Sequence, residues 1–575
     1  MKKVGLFLKR FLIPIIIVAI FLSALFFRFY RLSDVPVSLY WDGAANVYNA
    51  YSILETGRDE YGIPFPLLFK SFNDYKMPAN IYLTVIPIKL FGLNAFAERF
   101  NTAFFGSLTV LFTFFLIREL LLLQSLFKKE SKFSFLTKSN FVISVSLLTA
   151  FFLSISPWHI QFSRAEFEAN VGLFFVVLGA FLLLRFIRLK KAWSIYLSMA
   201  VFAVSMYFYR SILVFVPLLI FSFFVIFYKE ILGQKRKVFL GLIIFVAIVL
   251  PFIPVITSKQ GMIRSDQVSI QNNSFNELYK ASLMQQKAGS TLISKIIYNR
   301  RLVLAKIFAS NYLSHFSPIY LFITGDTNSG RHGPRGMGLL YLWELPFILF
   351  GLFLLFKLDR RVGLVILAWI LIAPIPAAVS VPTPHALRTL NMLPMPQLAT
   401  ALGVVGIFSL LRSVLWKKIY VVFMAIIILV FFGLYLNNYY SYSANATSAD
   451  WADGYKQLMQ YILPRENNYN KIVITGHYWQ PYIYALLYKK YDPRKFQTFG
   501  SHVAFDKYQF GGTAWESGQH ELENVNIPAW TNSNNILVAL SPIEYQNQKN
   551  NMHELTRIYN HNKDLVFIVG EIRKK

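Results

Sequence analysis

The residues that could do chemistry in this sequence are charged groups in short polar segments between long apolar runs. Asp42 and Lys76 lie in the first such segment, and Arg164 and Arg388 lie in two later ones. Five other side chains of these segments are candidates for supporting roles: Asp74, Tyr75, Glu166, Arg210 and His385. A carboxylate can take the proton from an attacking hydroxyl, and Lys or Arg can hold a phosphate as it leaves. These groups would suit group transfer from a lipid-borne phosphate.

The composition excludes an ordinary soluble protein. Of the 575 residues, 55% are hydrophobic and only 15% are charged, whereas soluble domains carry about 25% charged residues. The mean hydropathy is +0.46. The absence of cysteine excludes a disulfide framework and a thiol nucleophile.

Eleven apolar runs have the length of a membrane-crossing helix, which is about 20 residues. Because the runs are continuous, they do not match the alternating pattern of a β-barrel. The predicted spans are 11–30, 100–123, 139–156, 168–187, 192–209, 211–228, 238–257, 338–356, 362–380, 390–411 and 419–436.

Basic clusters lie before the first run and after every even-numbered one, which places those segments in the cytoplasm. They are Lys2, Lys3, Lys9 and Arg10; Lys128, Lys129, Lys132 and Lys138; Arg185, Arg188, Lys190 and Lys191; Lys229, Lys235, Arg236 and Lys237; Lys357, Arg360 and Arg361; and Arg412, Lys417 and Lys418. The formal net charge of +28 therefore indicates topology and not a nucleic-acid partner. The N-terminus is predicted to be cytoplasmic, and residues 437–575 extracytoplasmic, in a multi-pass protein of the cell membrane.

The predicted architecture is a polytopic α-helical membrane domain, 1–436, followed by a small extracytoplasmic α/β domain, 437–575. The outer loop 31–99 contains two half-apolar segments, 43–56 and 78–91, that predict interfacial helices. The outer loop 258–336 includes a basic amphipathic stretch, 295–306, and ends in a Gly-rich stretch, 325–338, whose first residues, 325–330, predict a mobile loop. The C-terminal domain shows predicted strands at 471–476, 535–540 and 565–569 and a helix at 482–488.

Four short motifs have an order and a placement between apolar runs that resemble a known family. They are the acidic Asp42; Lys76-Met77-Pro78; Glu98-Arg99-Phe100; and Ser156-Pro157 followed by Ser163-Arg164 and Glu166. With these motifs, residues 1–230 resemble the multispanning GT-C glycosyltransferases. The specific resemblance is to the family 39 group, which includes protein O-mannosyltransferases and the lipid A aminoarabinose transferase.

The resemblance implies inverting transfer of a sugar, a hexose or a pentose, from a polyprenyl-phosphate donor on the outer face of the membrane. It implies Asp42 as the base, and we expect Lys76, Arg164 and Arg388 to bind the donor phosphate. The acceptor is a protein, a lipid or a glycan. The family often has an acidic pair where Asp42 is followed by Gly43, so a divalent metal is left open and no cofactor is assigned.

Simpler roles remain open for these residues. Asp42 would cap the helix over 43–56, Lys76 would extend to lipid headgroups, and Arg164 would pair with Glu166. Two further alternatives are a helix-capping Arg210 and a hydrogen-bonded loop histidine at His385. At the level of function, the alternative is a transporter or flippase of lipid-linked or small anionic substrates, although the polar groups gather at span ends and not at mid-membrane.

Overall fold

A computed structural model describes residues 2–72, 74–127, 136, 138–289, 291–478, 480–511 and 535–572. The predicted cytoplasmic residues Lys128, Lys129 and Lys132 lie outside the described residues, as does Asn73 beside the Lys76 motif. The chain divides into two compact units, the first comprising 1–30 and 102–438 and the second 31–101 and 439–575.

Helices make up most of the described chain. In chain order they are α1 Lys2–Phe29, α2 Trp41–Thr56, α3 Pro78–Phe91, α4 Ala95–Phe127, α5 Ser139–Ser154, α6 Pro157–Ser163, α7 Glu168–Leu189, α8 Ala192–Ser205, α9 Arg210–Ile226, α10 Tyr228–Leu232, α11 Lys235–Val249, α12 Ile253–Thr257, α13 Lys259–Val268, α14 Ile270–Asn273, α15 Phe275–Lys287, α16 Leu292–Ile297, α17 Arg300–Ser314, α18 Glu344–Leu355, α19 Arg360–Ile372, α20 Ile375–Ala378, α21 Met395–Leu410, α22 Val414–Asn437, α23 Ala444–Ala446, α24 Tyr455–Ile462, α25 Pro481–Lys489, α26 Pro493–Phe499 and α27 Pro542–Gln548.

The helices of the first unit account for all eleven predicted spans. Seven helical segments of the described chain are long and apolar enough to cross a membrane, and the bent pair of α5 and α6 makes an eighth. The other three predicted spans coincide with the shorter apolar helices α8, α9 and α18. The protein is therefore a multi-pass membrane protein, as predicted.

Burial separates central spans from peripheral ones within the first unit. The apolar windows of α7 and of 390–410 are 78% buried in protein, whereas that of α1 is only 11% buried. Apolar side chains such as Phe11, Ile15 and Phe26 of α1 are exposed on its surface. Lipid covers such side chains in a bilayer, because no favourable burial would otherwise offset their exposure.

The break between α5 and α6 is encoded by the Ser156-Pro157 motif. Pro157 occupies the first turn of α6, where its missing N–H costs nothing. The Ser156 hydroxyl accepts a hydrogen bond from the backbone N–H of His159 and so caps α6. The bend between the two helices is 55°.

The second unit contains the β-strands. They are β1 Phe69–Ser71, β2 Asp74–Lys76, β3 Lys471–Ile474, β4 Ala504–Phe505, β5 Tyr508–Phe510, β6 Ile536–Leu540, β7 Met552–Tyr559 and β8 Leu565–Ile572. β1 and β2 form an antiparallel pair, and the other six form one mixed sheet in the order β4-β5-β3-β6-β8-β7. In that sheet β3 is parallel to β5 and β6, while β8 is antiparallel to β6 and β7.

The structure confirms the predicted α/β character of the C-terminal region. The strands β3, β6 and β8 and the helix α25 lie where the sequence predicted them. Three strands, β4, β5 and β7, were not predicted. β4 and β5 have two and three residues, too few to show a period. Half of the residues of β7 are polar, and half are exposed.

The second unit joins the first outer loop to the C-terminal region through one hydrophobic core. Ala44, Tyr48 and Ile81 of the loop pack in the same core as Tyr482 and Phe567. The chain passes from the first unit to the second after Asn438. The sequence predicts that residues 31–99 belong with the membrane domain, whereas the structure places 31–101 in the unit that contains the sheet.

This core encloses a carboxyl group. Glu60 is 1% exposed, and its backbone N–H donates to the Asn49 side chain. Burial, together with the negative charge of Asp59, raises the pKa of Glu60 to about 8. The neutral form of Glu60 is therefore favoured in the folded protein.

The second unit should lose stability as the pH rises from the ordinary carboxyl pKa towards 8. A folded-state pKa above the unfolded value gives stability that is complete at low pH, and it falls by about 1.4 kcal/mol per pH unit within this window. We expect the unfolding midpoint of the purified protein to fall between pH 5 and 8, and Glu60→Gln to flatten that dependence. Glu277→Gln, at an exposed position, should leave it unchanged. An identical pH profile for Glu60→Gln and the wild type would contradict the assignment.

Candidate functional site

Three predicted site residues of the first outer loop meet in the second unit. The Lys76 ammonium lies 2.8 Å from Asp42 Oδ1 and 3.2 Å from Asp74 Oδ2. The Asp42 side chain is 38% exposed, against 15% for Lys76 and 13% for Asp74. Asp42 is thus the most accessible member of this acid–lysine–acid cluster.

The start of α2 positions Asp42. Tyr40 is the N-cap residue, so Asp42 lies in the first turn, where the helix dipole favours a negative charge. The Tyr484 hydroxyl, from α25, donates to the Leu39 carbonyl just before the helix. The alternative that Asp42 itself caps the helix is not what the structure shows, because the helix begins one residue earlier.

The β1–β2 pair positions Lys76 and Asp74. Phe69 pairs with Lys76 and Ser71 with Asp74 across the hairpin, and α3 begins two residues later at Pro78. The Tyr75 backbone N–H donates to Asp74 Oδ1, which orients that carboxylate beside the lysine. The described contact of Tyr75 with the cluster is made by its backbone, and a supporting role for its side chain stays a prediction.

Arg99, from the Glu-Arg-Phe motif, holds the chain that leads to Asp42. Its guanidinium donates to the carbonyls of Leu32, Pro36 and Ser38 at 2.7–2.9 Å. It is 1% exposed and lies 3.3 Å from Glu98 Oε2. One buried side chain therefore satisfies three carbonyls of an irregular segment that has no regular backbone pairing of its own.

Arg164 makes a similar set of bonds in the first unit. It is fully buried, and it donates to the carbonyls of Phe27, Arg28 and Tyr30 at 2.7–3.1 Å. These carbonyls belong to the C-terminal end of α1, where backbone acceptors lack helical partners. This geometry favours a positioning role for Arg164, and its contact with a donor phosphate stays a prediction.

The structure also places the two remaining supporting candidates of the first unit. Arg210 is the first residue of α9, and it donates to the Gly261 carbonyl at 2.6 Å. This bond joins Arg210 to α13, and the alternative that it caps the end of α8 stays a prediction. Glu166 is 9% exposed and lies between α6 and α7.

His385 and Arg388 lie beside an acidic residue that the sequence analysis did not select. Asp326 Oδ2 accepts hydrogen bonds at 2.8 Å from His332 Nδ1 and from the Ala386 backbone N–H, and it lies 3.9 Å from His385 Nδ1. Arg388 donates to the Ser380 hydroxyl and the Val381 carbonyl. All of these side chains are at least nine-tenths buried.

Burial and charge set the ionisation of this cluster. Burial lowers the pKa of His385 well below its ordinary value, and the neighbouring His332 and Arg388 lower it further. Burial also lowers the pKa of His332, against the opposing hydrogen bond to Asp326. For Asp326 burial acts in the upward direction, but the hydrogen bonds from His332, Ala386 and Asn328 lower its pKa overall. The cluster thus combines an ionised carboxylate with neutral imidazoles.

Sequence reasoning missed Asp326 and His332 because they lie in the Gly-rich stretch that predicted a mobile loop. The structure gives this loop fixed contacts instead, including the Asn328 N–H bond to Asp326 Oδ1. A usable signal was present, since Asp326 and His332 are six residues apart and a further histidine, His385, lies in another polar segment.

The structure therefore brings the predicted residues together as two sets. Asp42, Asp74, Tyr75 and Lys76 belong to the second unit, and Glu166, Arg164, Arg210, His385 and Arg388 belong to the first. Asp326, His332 and His385 are the described residues that could hold a metal ion, since their ligand atoms lie within 4.8 Å of one another. Binding of one donor phosphate by Lys76, Arg164 and Arg388 stays a prediction.

Comparison with known proteins gives a likeness in structure. No family model matches the sequence, and no curated protein matches it. The crystal structure of ArnT from Cupriavidus metallidurans bound to undecaprenyl phosphate matches over 97% of this chain and 97% of its own, with 12% sequence identity and a TM-score of 0.52. This chain has the GT-C fold.

The GT-C fold confirms the predicted architecture of a helical membrane protein with a C-terminal α/β region.

A second similar structure is the archaeal oligosaccharyltransferase AglB from Archaeoglobus fulgidus, in complex with an inhibitory peptide and a dolichol-phosphate. It matches 84% of this chain at 13% identity and a TM-score of 0.49. This chain spans 64% of that protein's length.

Replacing Arg164 with lysine should destabilise the protein, because a single ammonium does not reproduce a planar guanidinium that bonds three carbonyls. Each buried carbonyl left without a donor costs about 1–3 kcal/mol. We expect a lower unfolding midpoint in detergent for Arg164→Lys, with the exposed Arg335→Lys as the matched control. Equal midpoints for the two variants would remove the positioning role.

Proposed function

We propose that this protein transfers a sugar from a polyprenyl-phosphate donor to an acceptor hydroxyl at the extracytoplasmic face of the cell membrane. The observation that carries the proposal is the acid–lysine–acid cluster, in which an accessible carboxylate lies 2.8 Å from an ammonium. Such a pair places a proton acceptor beside a cation that can bind a phosphate. The GT-C fold supports the proposal, because the similar ArnT structure holds undecaprenyl phosphate.

In the proposed reaction, Asp42 takes the proton from the acceptor hydroxyl. The hydroxyl oxygen bonds to the anomeric carbon as the bond from that carbon to the phosphate oxygen breaks, so the configuration inverts. Polyprenyl phosphate leaves with the bonding electrons, and Lys76 offsets its added negative charge. Asp74 lies 3.2 Å from the same ammonium and would hold it in place when the phosphate displaces Asp42 from it.

Arg388 is the proposed second phosphate contact, and Arg164 is proposed to act through the end of α1. The sugar would be a hexose or a pentose, and the acceptor a protein, lipid or glycan. Incubating membranes that contain the protein with a panel of radiolabelled polyprenyl-phosphate sugars, and identifying the labelled product, tests the proposal and names both substrates. Transfer from none of the donors, with the protein folded and inserted, would contradict it.

Asp42→Asn should abolish transfer, because the amide does not accept the proton. A general base contributes about 10²–10⁴-fold to the rate, and a loss in this range is expected at unchanged expression and membrane insertion. The matched control is Asp34→Asn in the same loop, whose side chain is 61% exposed and pairs loosely with Arg31 at 3.8 Å. Activity of Asp42→Asn within a few-fold of the control would remove Asp42 as the base.

Lys76→Ala should weaken donor binding more than it lowers stability. A hydrogen bond to a charged group contributes about 1.5–3 kcal/mol, so the Kd for polyprenyl phosphate should rise at least about tenfold. Lys89→Ala, at the exposed end of α3, is the control, and the unfolding midpoints of both variants should be compared. Unchanged donor affinity in Lys76→Ala would favour the alternative that Lys76 extends to lipid headgroups.

A further inference from the structure

We infer that Asp326, His332 and His385 form a zinc site that ties two loops of the first unit together. This site lies apart in sequence from the acid–lysine–acid cluster, and it does not depend on the proposed transferase reaction. The loops are the segment that precedes α18 and the segment that precedes α21, with Asp326 and His332 on one and His385 on the other.

The three ligand atoms already form a compact triangle. His332 Nδ1 lies 2.8 Å and His385 Nδ1 3.9 Å from Asp326 Oδ2, and one ligand atom from each residue lies within 4.8 Å of the other two. Tetrahedral zinc with bonds of 2.0–2.2 Å needs ligand atoms about 3.3 Å apart. Changes of at most about 1.5 Å in these separations would therefore bring the three ligands to zinc-binding distances.

A buried nitrogen without a hydrogen-bond partner points into this triangle. Among the described residues, His385 Nδ1 is a buried atom with no partner, although the side chain is only 9% exposed. An unpaired buried polar atom costs about 1–3 kcal/mol. A cation coordinated at this nitrogen would remove that cost.

Surrounding hydrogen bonds hold the ligands, as outer contacts do at metal sites. Asp326 accepts from the backbone N–H groups of Asn328 and Ala386. The His385 backbone N–H donates to His315 Nε2, whose other ring nitrogen bonds the Asn311 carbonyl. Both the carboxylate and the loop that carries His385 are thus fixed before any ion binds.

The ligand types decide which cation fits. The three residues offer two imidazole nitrogens and one carboxylate oxygen. Mg²⁺ and Ca²⁺ prefer oxygen ligands, whereas two imidazoles and one carboxylate suit zinc.

Zinc bound here would fix the loop that contains Arg388. Arg388 is three residues after His385, and its guanidinium donates to Ser380 and Val381 on the same loop. The ion would therefore act as a structural link, with a fourth position for water or a further ligand. No step of the proposed sugar transfer is required for this role.

The test is the zinc content of the purified full-length protein in detergent. The protein is treated with a chelator, incubated with zinc, freed of unbound metal by gel filtration and analysed by elemental mass spectrometry. We expect about one zinc per chain, retained in a large excess of Mg²⁺, and a higher unfolding midpoint with zinc than without it. His385→Gln and His332→Gln should each lower zinc retention at least about tenfold and abolish the rise in the midpoint.

The matched control is His553→Gln, at an exposed position of β7, which should keep both the zinc and the rise. Wild-type zinc content no higher than that of His385→Gln would overturn the inference. Equal loss of zinc in His553→Gln would also overturn it, by indicating binding at surface histidines. Because these measurements need no sugar donor, their failure would be distinct from failure of the proposed transfer reaction.

Discussion

The hydrophobic core shared by the first outer loop and the C-terminal region is the interaction on which the position of Asp42 depends. The helix that carries Asp42 buries Ala44, Ala45 and Tyr48 in that core, and the chain just before it is held by Tyr484. The β1–β2 pair contributes Phe69 to the same core, and Phe69 is the partner of Lys76 across the hairpin. Apolar packing thus fixes both members of an ion pair that would contribute little on an exposed surface.

The described contacts of two buried arginines are with backbone carbonyls, although the charge of an arginine suggests anion binding. Arg99 and Arg164 each donate to three backbone carbonyls in segments that lack regular pairing. Such carbonyls need donors when water is excluded, and a guanidinium offers five N–H groups in a fixed plane. In a membrane protein with few polar side chains, an arginine near the end of a span can therefore indicate backbone carbonyls without helical partners. It indicates these as readily as it indicates an anionic ligand.

Much of the fold could be predicted from the sequence because it follows from local patterns. Apolar length identified every predicted span as a helix, and half-apolar segments placed α2 and α3. From the sequence, Asp42 and Lys76 are predicted only to lie in the same loop, in motifs whose order resembles that of a family. Their direct contact is not predicted. The partnership of that loop with the distant sheet was missed, because nothing in a single sequence records which apolar faces pair over hundreds of residues. Asp326 and His332 were missed for a related reason, since Asp326 is held by the backbone N–H of Ala386, more than fifty residues away in the sequence.

The discontinuous second unit has a consequence for biosynthesis. Residues 31–101 leave the ribosome early, yet the helices and strands that complete their core begin at Tyr455. Roughly 350 residues are translated in between, which takes on the order of 20–70 s at 5–20 residues per second. Throughout that interval α2 and α3 can pack against each other, but the apolar side chains that later contact residues 455–569 lack that partner. The nascent loop must therefore keep these side chains from aggregating until the C-terminal region has been made.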